Sequence, residues 1–130
     1  MKDPSCERSI LIIEDEKNIR TIIKLYLERE GFMVIEAKDV KEGKNQFVQH
    51  PPCLILLDIR LPDESGFHYC NWLRNEQNSD VPLIMVSAVS SEAETIKALK
   101  QGADDFLHKP FNPLELVARV ESVLRRSIKK

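Results

Sequence analysis

The segment Leu54-Ile55-Leu56-Leu57-Asp58 constrains this chain more than any other, because four consecutive aliphatic residues run straight into a carboxylate. An uninterrupted apolar run reads as a strand covered on both faces, the pattern of parallel sheets. A buried strand has no use for a charge, so Asp58 falls where that strand emerges. The ends of the other strands then become the place to look for its partners.

The same pattern recurs along the chain. Ser9 to Ile13 is an apolar strand that stops at Glu14-Asp15-Glu16, and a helical pattern follows with Ile19, Ile22, Ile23, Tyr26 and Leu27 on one face. Gly31 closes that helix as its C′ residue. Phe32 to Ala37 forms a second strand. Asp39 caps a weaker helix carrying Val40 and Phe47, which His50-Pro51-Pro52 terminates. After Asp58, Leu61 to Gly66 reads as a loop, with Phe67, Cys70 and Leu73 at helical spacing behind it. Val81 to Val86 is the fourth strand and ends at Ser87-Ala88. Ser90 or Ser91 caps a helix bearing Ala93, Ile96 and Leu99 and closed by Gly102. Asp104 to His108, the fifth strand, leads into Lys109-Pro110. The last helix has Asn112 as N-cap, Pro113 at its first position and Glu115 at its third, with Leu116, Val117, Val120, Val123 and Leu124 inward. Five alternations with short connections predict right-handed βαβ units, hence a doubly wound α/β fold with one parallel sheet and helices on both faces.

Composition narrows the class. A chain of 130 residues fits one domain that buries about 65–70% of its unfolded surface. A formal net charge of −2 with 31% charged residues lacks the basic stripe of a nucleic-acid-binding domain. The basic end Arg125-Arg126-Ser127-Ile128-Lys129-Lys130 reads as a solvated helix terminus or linker. Cys6, Cys53 and Cys70 are odd in number and lack metal-ligand spacing, which argues for a reducing cytosol rather than a disulfide framework. No apolar run approaches the ~20 residues of a membrane span, and Met1 to Ser5 shows no signal-peptide core. The expected organisation is a leader over 1–8, one domain over 9–126 and a tail or linker start over 127–130, in the cytoplasm.

In doubly wound sheets, ligands bind outside the carboxyl ends of the strands. Here those ends carry Glu14 and Asp15, Asp58, Ser87 and Lys109. The first βα turn has no glycine to let backbone N–H groups approach a nucleotide phosphate. Three carboxylates on one rim repel one another unless a cation sits between them, and hard oxygen ligands suit Mg²⁺. A carboxylate beside Mg²⁺ can attack phosphorus to form an aspartyl phosphate if positive charge and donors meet the oxyanions, tasks for which Lys109 and Ser87 are suited. Singly, each has an ordinary reading: Asp15 as a helix cap, Ser87 as a strand-end hydroxyl, Lys109 as a surface cation. At matching strand ends they point to one site.

From Ser9 to Arg126 the chain resembles the receiver domain of bacterial two-component response regulators. The resemblance is carried by Glu14-Asp15, by Leu56-Leu57-Asp58-Ile59-Arg60-Leu61-Pro62 with Gly66, by Ser87-Ala88, and by the run from Gly102 through Lys109-Pro110-Phe111. It implies a flavodoxin-like fold with strand order 2-1-3-4-5. It implies that Asp58 accepts a phosphoryl group from the phosphohistidine of a sensor histidine kinase or phosphotransfer protein. By the same resemblance Asp15 and Asp58 ligate Mg²⁺, for which Mn²⁺ can substitute. Glu14 acts mostly through water, and the Arg60 backbone carbonyl completes the set. Lys109 pairs with the carboxylates and then the phosphoryl oxygens, Ser87 hydrogen-bonds the phosphoryl group, and Phe106 is the switch aromatic. The Lys109-Pro110 peptide is expected to be cis. Glu14 stands where aspartate is commoner, and Arg60 and Val89 stand where the family tunes dephosphorylation. Such a domain assists its own phosphorylation and slow dephosphorylation and is not otherwise an enzyme.

The segment from Gly102 to Arg126 is most similar to receivers of winged-helix transcription factors, which dimerise through the fourth helix, fifth strand and fifth helix. Asp105 and Arg119 match one charge pair of that interface. Lys100 and Glu121 match another with polarity reversed, and Glu115 meets Thr95 in place of a cation. The resemblance thus implies a phosphorylation-promoted homodimer and control of transcription through a DNA-binding domain outside this sequence, with no nucleic acid or membrane touched by this domain. Two rivals stand beside it. One is a stand-alone phosphorelay or partner-docking receiver. The other is an Mg²⁺-dependent phosphohydrolase, which commonly carries a second acid where Arg60 stands here.

Overall fold

Three of the five strands are wholly buried along their length, so each sends alternate side chains into two separate cores. The computed structural model of the chain describes residues 8–88 and 91–128. The leader through residue 7 with Cys6, Val89, the alternative cap Ser90 and the final Lys129-Lys130 lie outside the described residues. In chain order the elements are β1 (Ser9–Ile13), α1 (Lys17–Arg29), β2 (Met33–Ala37), α2 (Val40–Gln49), β3 (Leu54–Asp58) and α3 (Gly66–Asn71). A π-helical turn, Trp72–Glu76, extends α3, and β4 (Leu83–Ser87), α4 (Glu92–Gln101), β5 (Asp105–His108) and α5 (Pro113–Ile128) follow. All pairings are parallel, in the order β2-β1-β3-β4-β5.

Leu11, Ile13, Ile55, Leu57, Leu83, Met85 and Phe106 face one core with Val40 of α2, Phe67, Tyr69 and Cys70 of α3 and Ala98 of α4. Ile10, Ile12, Leu54, Leu56, Ile84, Val86 and Leu107 face the other with α1 and α5. Register then lines up the strand ends. Ile13 sits opposite Leu57, Asp58 opposite Val86, and Ser87 opposite His108, so Glu14 and Lys109 each lie one residue beyond a paired position.

The predicted doubly wound architecture and strand order are those observed. Gly31 and Gly102 terminate α1 and α4 at φ of 88° and 111°, and Asp39, Ser91 and Asn112 supply the expected cap bonds. The Lys109-Pro110 peptide is cis, as expected. Cys53 and Cys70 are free, buried thiols. No helix among the described residues is long and apolar enough to cross a membrane.

Other expectations need correction. Phe32 precedes β2 rather than opening it; it is buried, with the Arg8 guanidinium 4.2 Å above its ring. Ile22 of α1 is 45% exposed, at the edge of the apolar face rather than within it. Ile96 and Leu99 of α4 are about half exposed, and Ala98 is buried instead. β4 starts at Leu83 because side chains claim the backbone before it. The Leu83 N–H donates to Asp104 Oδ2 at 2.9 Å, which also leaves Asp104 outside β5. The Arg74 guanidinium donates to the carbonyls of Ser79 (3.0 Å), Val81 (2.7 Å) and Gly102 (2.8 Å).

Arg74 therefore ties the C-terminus of α4 to the entry of β4. Truncating it leaves three carbonyls short of a charged donor. Arg74→Ala is expected to lower the free energy of urea unfolding by about 2–4 kcal/mol. A loss within the ~0.5 kcal/mol of an ordinary surface change would contradict this role.

Candidate functional site

Four strand ends converge on one rim, and their buried polar groups face charges rather than solvent. Glu14 and Asp58 are only 2% and 5% exposed, and Ser87 is fully buried. Lys109 Nζ lies 2.7 Å from Glu14 Oε1 and 3.0 Å from Asp58 Oδ2, a single cation shared by two buried anions. A backbone donor meets the second oxygen of each acid: Glu16 N–H donates to Glu14 Oε2 and Arg60 N–H to Asp58 Oδ1, both at 3.1 Å. The Lys109 N–H donates to the Ser87 carbonyl at 2.8 Å, which ties the lysine-bearing turn to the end of β4.

Asp15 is exposed, yet one carboxylate oxygen each from Glu14, Asp15 and Asp58 lie within 4.8 Å of one another. Asp15 does not cap α1; Glu16 holds that position without a side-chain bond. Arg20 instead fixes the acid pair from behind, donating to the carbonyls of Glu14 at 2.7 Å and Asp15 at 3.3 Å. Nothing in the helical pattern distinguished Arg20 from a solvated residue of α1.

The electrostatics follow from burial. Desolvation is the largest influence on Glu14 and pushes its carboxyl up to about 7; the Lys109 hydrogen bond opposes this and the Asp58 charge adds to it. Burial alone would make Lys109 easier to deprotonate, but its bonds to Glu14 and Asp58 override that and hold it above the usual lysine range. Three carboxylates with one ammonium leave the rim short of positive charge. That deficit, together with hard oxygen donors within reach of one another, fits a divalent cation such as Mg²⁺.

The loop between β3 and α3 encloses the site. Arg60 and Ser65 form an antiparallel bridge, and the Gly66 N–H donates to the Ile59 carbonyl at 2.7 Å. Gly66 is required by close approach: a Cβ there would stand 2.5 Å from the Asp58 carbonyl oxygen and 2.8 Å from Ile59 Cα. Beside the site an apolar cleft of about 600 Å³ opens between α1 and the turn before α5, lined by Ile19, Ile22, Ala88, Lys109, Pro110, Phe111 and Pro113.

Phe106 is 7% exposed within the core, its ring centroid 4.9 Å from that of His108. Of the residues expected on a dimer surface, Arg119 pairs within its own chain with Asp105 and Glu115, both at 3.0 Å. Lys100 and Glu121 form no ion pair among the described residues. The structure thus brings Glu14, Asp15, Asp58, Ser87, Lys109 and the Arg60 backbone to one rim and sets Phe106 in the core behind it.

A doubly wound sheet in this strand order, with three acids and a lysine at its carboxyl edge, defines a receiver domain. The model of the response regulator receiver domain matches residues 10–121, and the chain belongs to that family, the receiver domains of two-component systems. It is 41% identical over 121 residues to the transcriptional regulatory protein GltR of Pseudomonas aeruginosa, covering 92% of this chain and 50% of GltR. It is 42% identical over 120 residues to the phosphate regulon transcriptional regulatory protein PhoB of Escherichia coli, covering 92% and 52%. The chain spans about half the length of these curated relatives. Among solved structures, a CheY-like receiver domain protein of Methanospirillum hungatei aligns with a TM-score of 0.87 at 30% identity over 94% of this chain and 97% of that one. The receiver domain of the Francisella response regulator 1452 aligns with a TM-score of 0.87 at 33% identity over 93% and 99%.

Because the atoms nearest the missing Cβ of Gly66 are backbone, no rotamer change relieves the clash. Gly66→Ala is expected to destabilise the domain by about 1–3 kcal/mol in urea unfolding. Unchanged stability would show that the loop does not need this approach.

Proposed function

We propose that this domain is a phosphorylation-activated switch whose acceptor is Asp58. One Asp58 carboxylate oxygen attacks the phosphorus of a phosphohistidine on a sensor histidine kinase or phosphotransfer protein. The P–O bond forms as the P–N bond breaks, and the imidazole departs with the electron pair and takes a proton. Asp15, Asp58 and the Arg60 carbonyl would hold Mg²⁺, or Mn²⁺ in its place, with Glu14 acting through water. The bound ion would supply charge neutralisation. Lys109 neutralises developing charge on the phosphoryl oxygens, and Ser87 donates a hydrogen bond to one of them. The observation that carries this reading is the Asp58 carboxylate, buried at a strand end and held 3.0 Å from Lys109 among two further acids. The apolar cleft beside the site suits the phosphodonor's own surface.

The output follows from the same reading. Phosphorylation draws Ser87 toward the phosphoryl group, shifts Phe106, and alters the surface of α4, β5 and α5. That surface carries Lys100, Asp105, Glu115, Arg119 and Glu121, with Ile96 and Leu99 about half exposed. A homodimer through it, in the cytoplasm, would control transcription through a DNA-binding domain beyond this chain; the names of GltR and PhoB support that direction. Exposed ion pairs contribute only about 0–1 kcal/mol each, so the apolar residues must supply most of the association.

Intact-mass spectrometry after incubation with acetyl phosphate and Mg²⁺ is expected to show one added phosphoryl group, absent with a chelator and absent in Asp58→Asn. No adduct, or one that survives the substitution, contradicts the assignment. Light scattering of the same sample is expected to show a dimer, and a monomer alone would remove that part of the proposal.

A further inference from the structure

Asp63 stands at the tip of the loop that follows Asp58, and its carboxylate reaches off that loop to another element. Oδ1 accepts from the Val40 N–H and Oδ2 from the Lys41 N–H, both at 3.0 Å, while Oδ1 also takes the loop's own Glu64 N–H at 2.9 Å. Val40 and Lys41 open α2, whose own cap Asp39 accepts the Glu42 N–H at 2.8 Å. The donors that a helix start leaves unpaired are therefore divided between an acid within the segment and an acid 23 residues away.

The division fastens two parts of the rim together. The loop is closed at its base by the Arg60–Ser65 bridge, and Asp63 is what holds its tip. On the far side, α2 is seated firmly against β1. A Cβ at Gly43 would fall 2.6 Å from Ile13 Cδ1, and the Tyr69 hydroxyl donates to the Gly43 carbonyl at 2.9 Å. Ile13 directly precedes Glu14 and Asp15. Beside the direct pairing of β1 with β3, a second route from the acids after β1 to the loop bearing Arg60 thus runs through α2 and Asp63.

We infer that Asp63 is a positioning residue for the cation site: by anchoring the loop to the start of α2, it sets the Arg60 carbonyl relative to the acids that follow β1. The inference rests on the cation site proposed above. Asp63 itself touches neither cation nor phosphoryl group.

Isothermal titration of the 130-residue chain with Mg²⁺ tests it, comparing the parent with Asp63→Ala and Asp39→Ala. Both substitutions remove a cap from the same helix, so lost helix stability, read by thermal unfolding alongside, affects both; only the first frees the loop. Asp63→Ala is expected to bind Mg²⁺ about tenfold more weakly, Asp39→Ala to stay within about twofold of the parent, and Asp63→Asn, which keeps Oδ1, to fall between. The Mg²⁺ concentration that half-saturates phosphorylation rises in step with the binding constant. Equal weakening by the two alanine substitutions, or none by Asp63→Ala while the parent binds, overturns the role of Asp63 and leaves the cation site standing. No binding by the parent overturns the cation site and this inference with it.

Discussion

One ammonium shared between two buried carboxylates is the interaction on which the rim depends. Lys109 reaches Glu14 at 2.7 Å and Asp58 at 3.0 Å, and the three residues come from the ends of three different strands. Left alone, either acid would protonate or seek solvent. With one positive charge between them, the balance still lies on the negative side, and the Asp58 charge adds to the burial that chiefly raises the proton affinity of Glu14. The same imbalance favours a cation beside Asp15, and under the proposed function a phosphoryl group on Asp58 would deepen it. Burial thus does more than hide charge: it makes the rim demand a counterion and keeps Asp58 aimed by its bonds to Lys109 and the Arg60 N–H.

Backbone, more than side-chain reach, sets these distances. Parallel register places Asp58 beside Val86 and Ser87 beside His108, and a one-residue slip would turn every strand residue to the opposite core. The Lys109 N–H on the Ser87 carbonyl and Arg20 on the carbonyls of Glu14 and Asp15 extend that order past the strand ends. At the opposite edge, Arg74 fastens α4 to the entry of β4. The helix proposed to carry output is therefore anchored at its C-terminus, and its apolar residues Ile96 and Leu99 are left half exposed.

Much of this was legible from residue order. Apolar runs ending in polar residues marked the strands, glycine and proline punctuated the helices, and five useful side chains fell at strand ends because the sheet winds that way. What escaped was whatever depends on contacts distant in sequence. Arg74, Arg20 and Asp63 look like solvated charges until the fold brings carbonyls or N–H groups to them. The apolar spacing of α4 named Ala93, Ile96 and Leu99, but the sheet accepts Ala98, since a small residue lets the helix approach closely. Strand ends shifted by one or two residues at Phe32, Val81 and Asp104 for a related reason: hydrophobicity does not record which partner takes a backbone group.

Every role proposed for the rim depends on Asp58 being the group that accepts phosphate. Borohydride reduces an acyl phosphate to an alcohol, so trapping the phosphorylated protein and mapping its peptides locates the bond directly. Homoserine at position 58 and nowhere else is the predicted result. Reduction at Glu14 or Asp15, or a phosphoryl group that borohydride does not release, would contradict it.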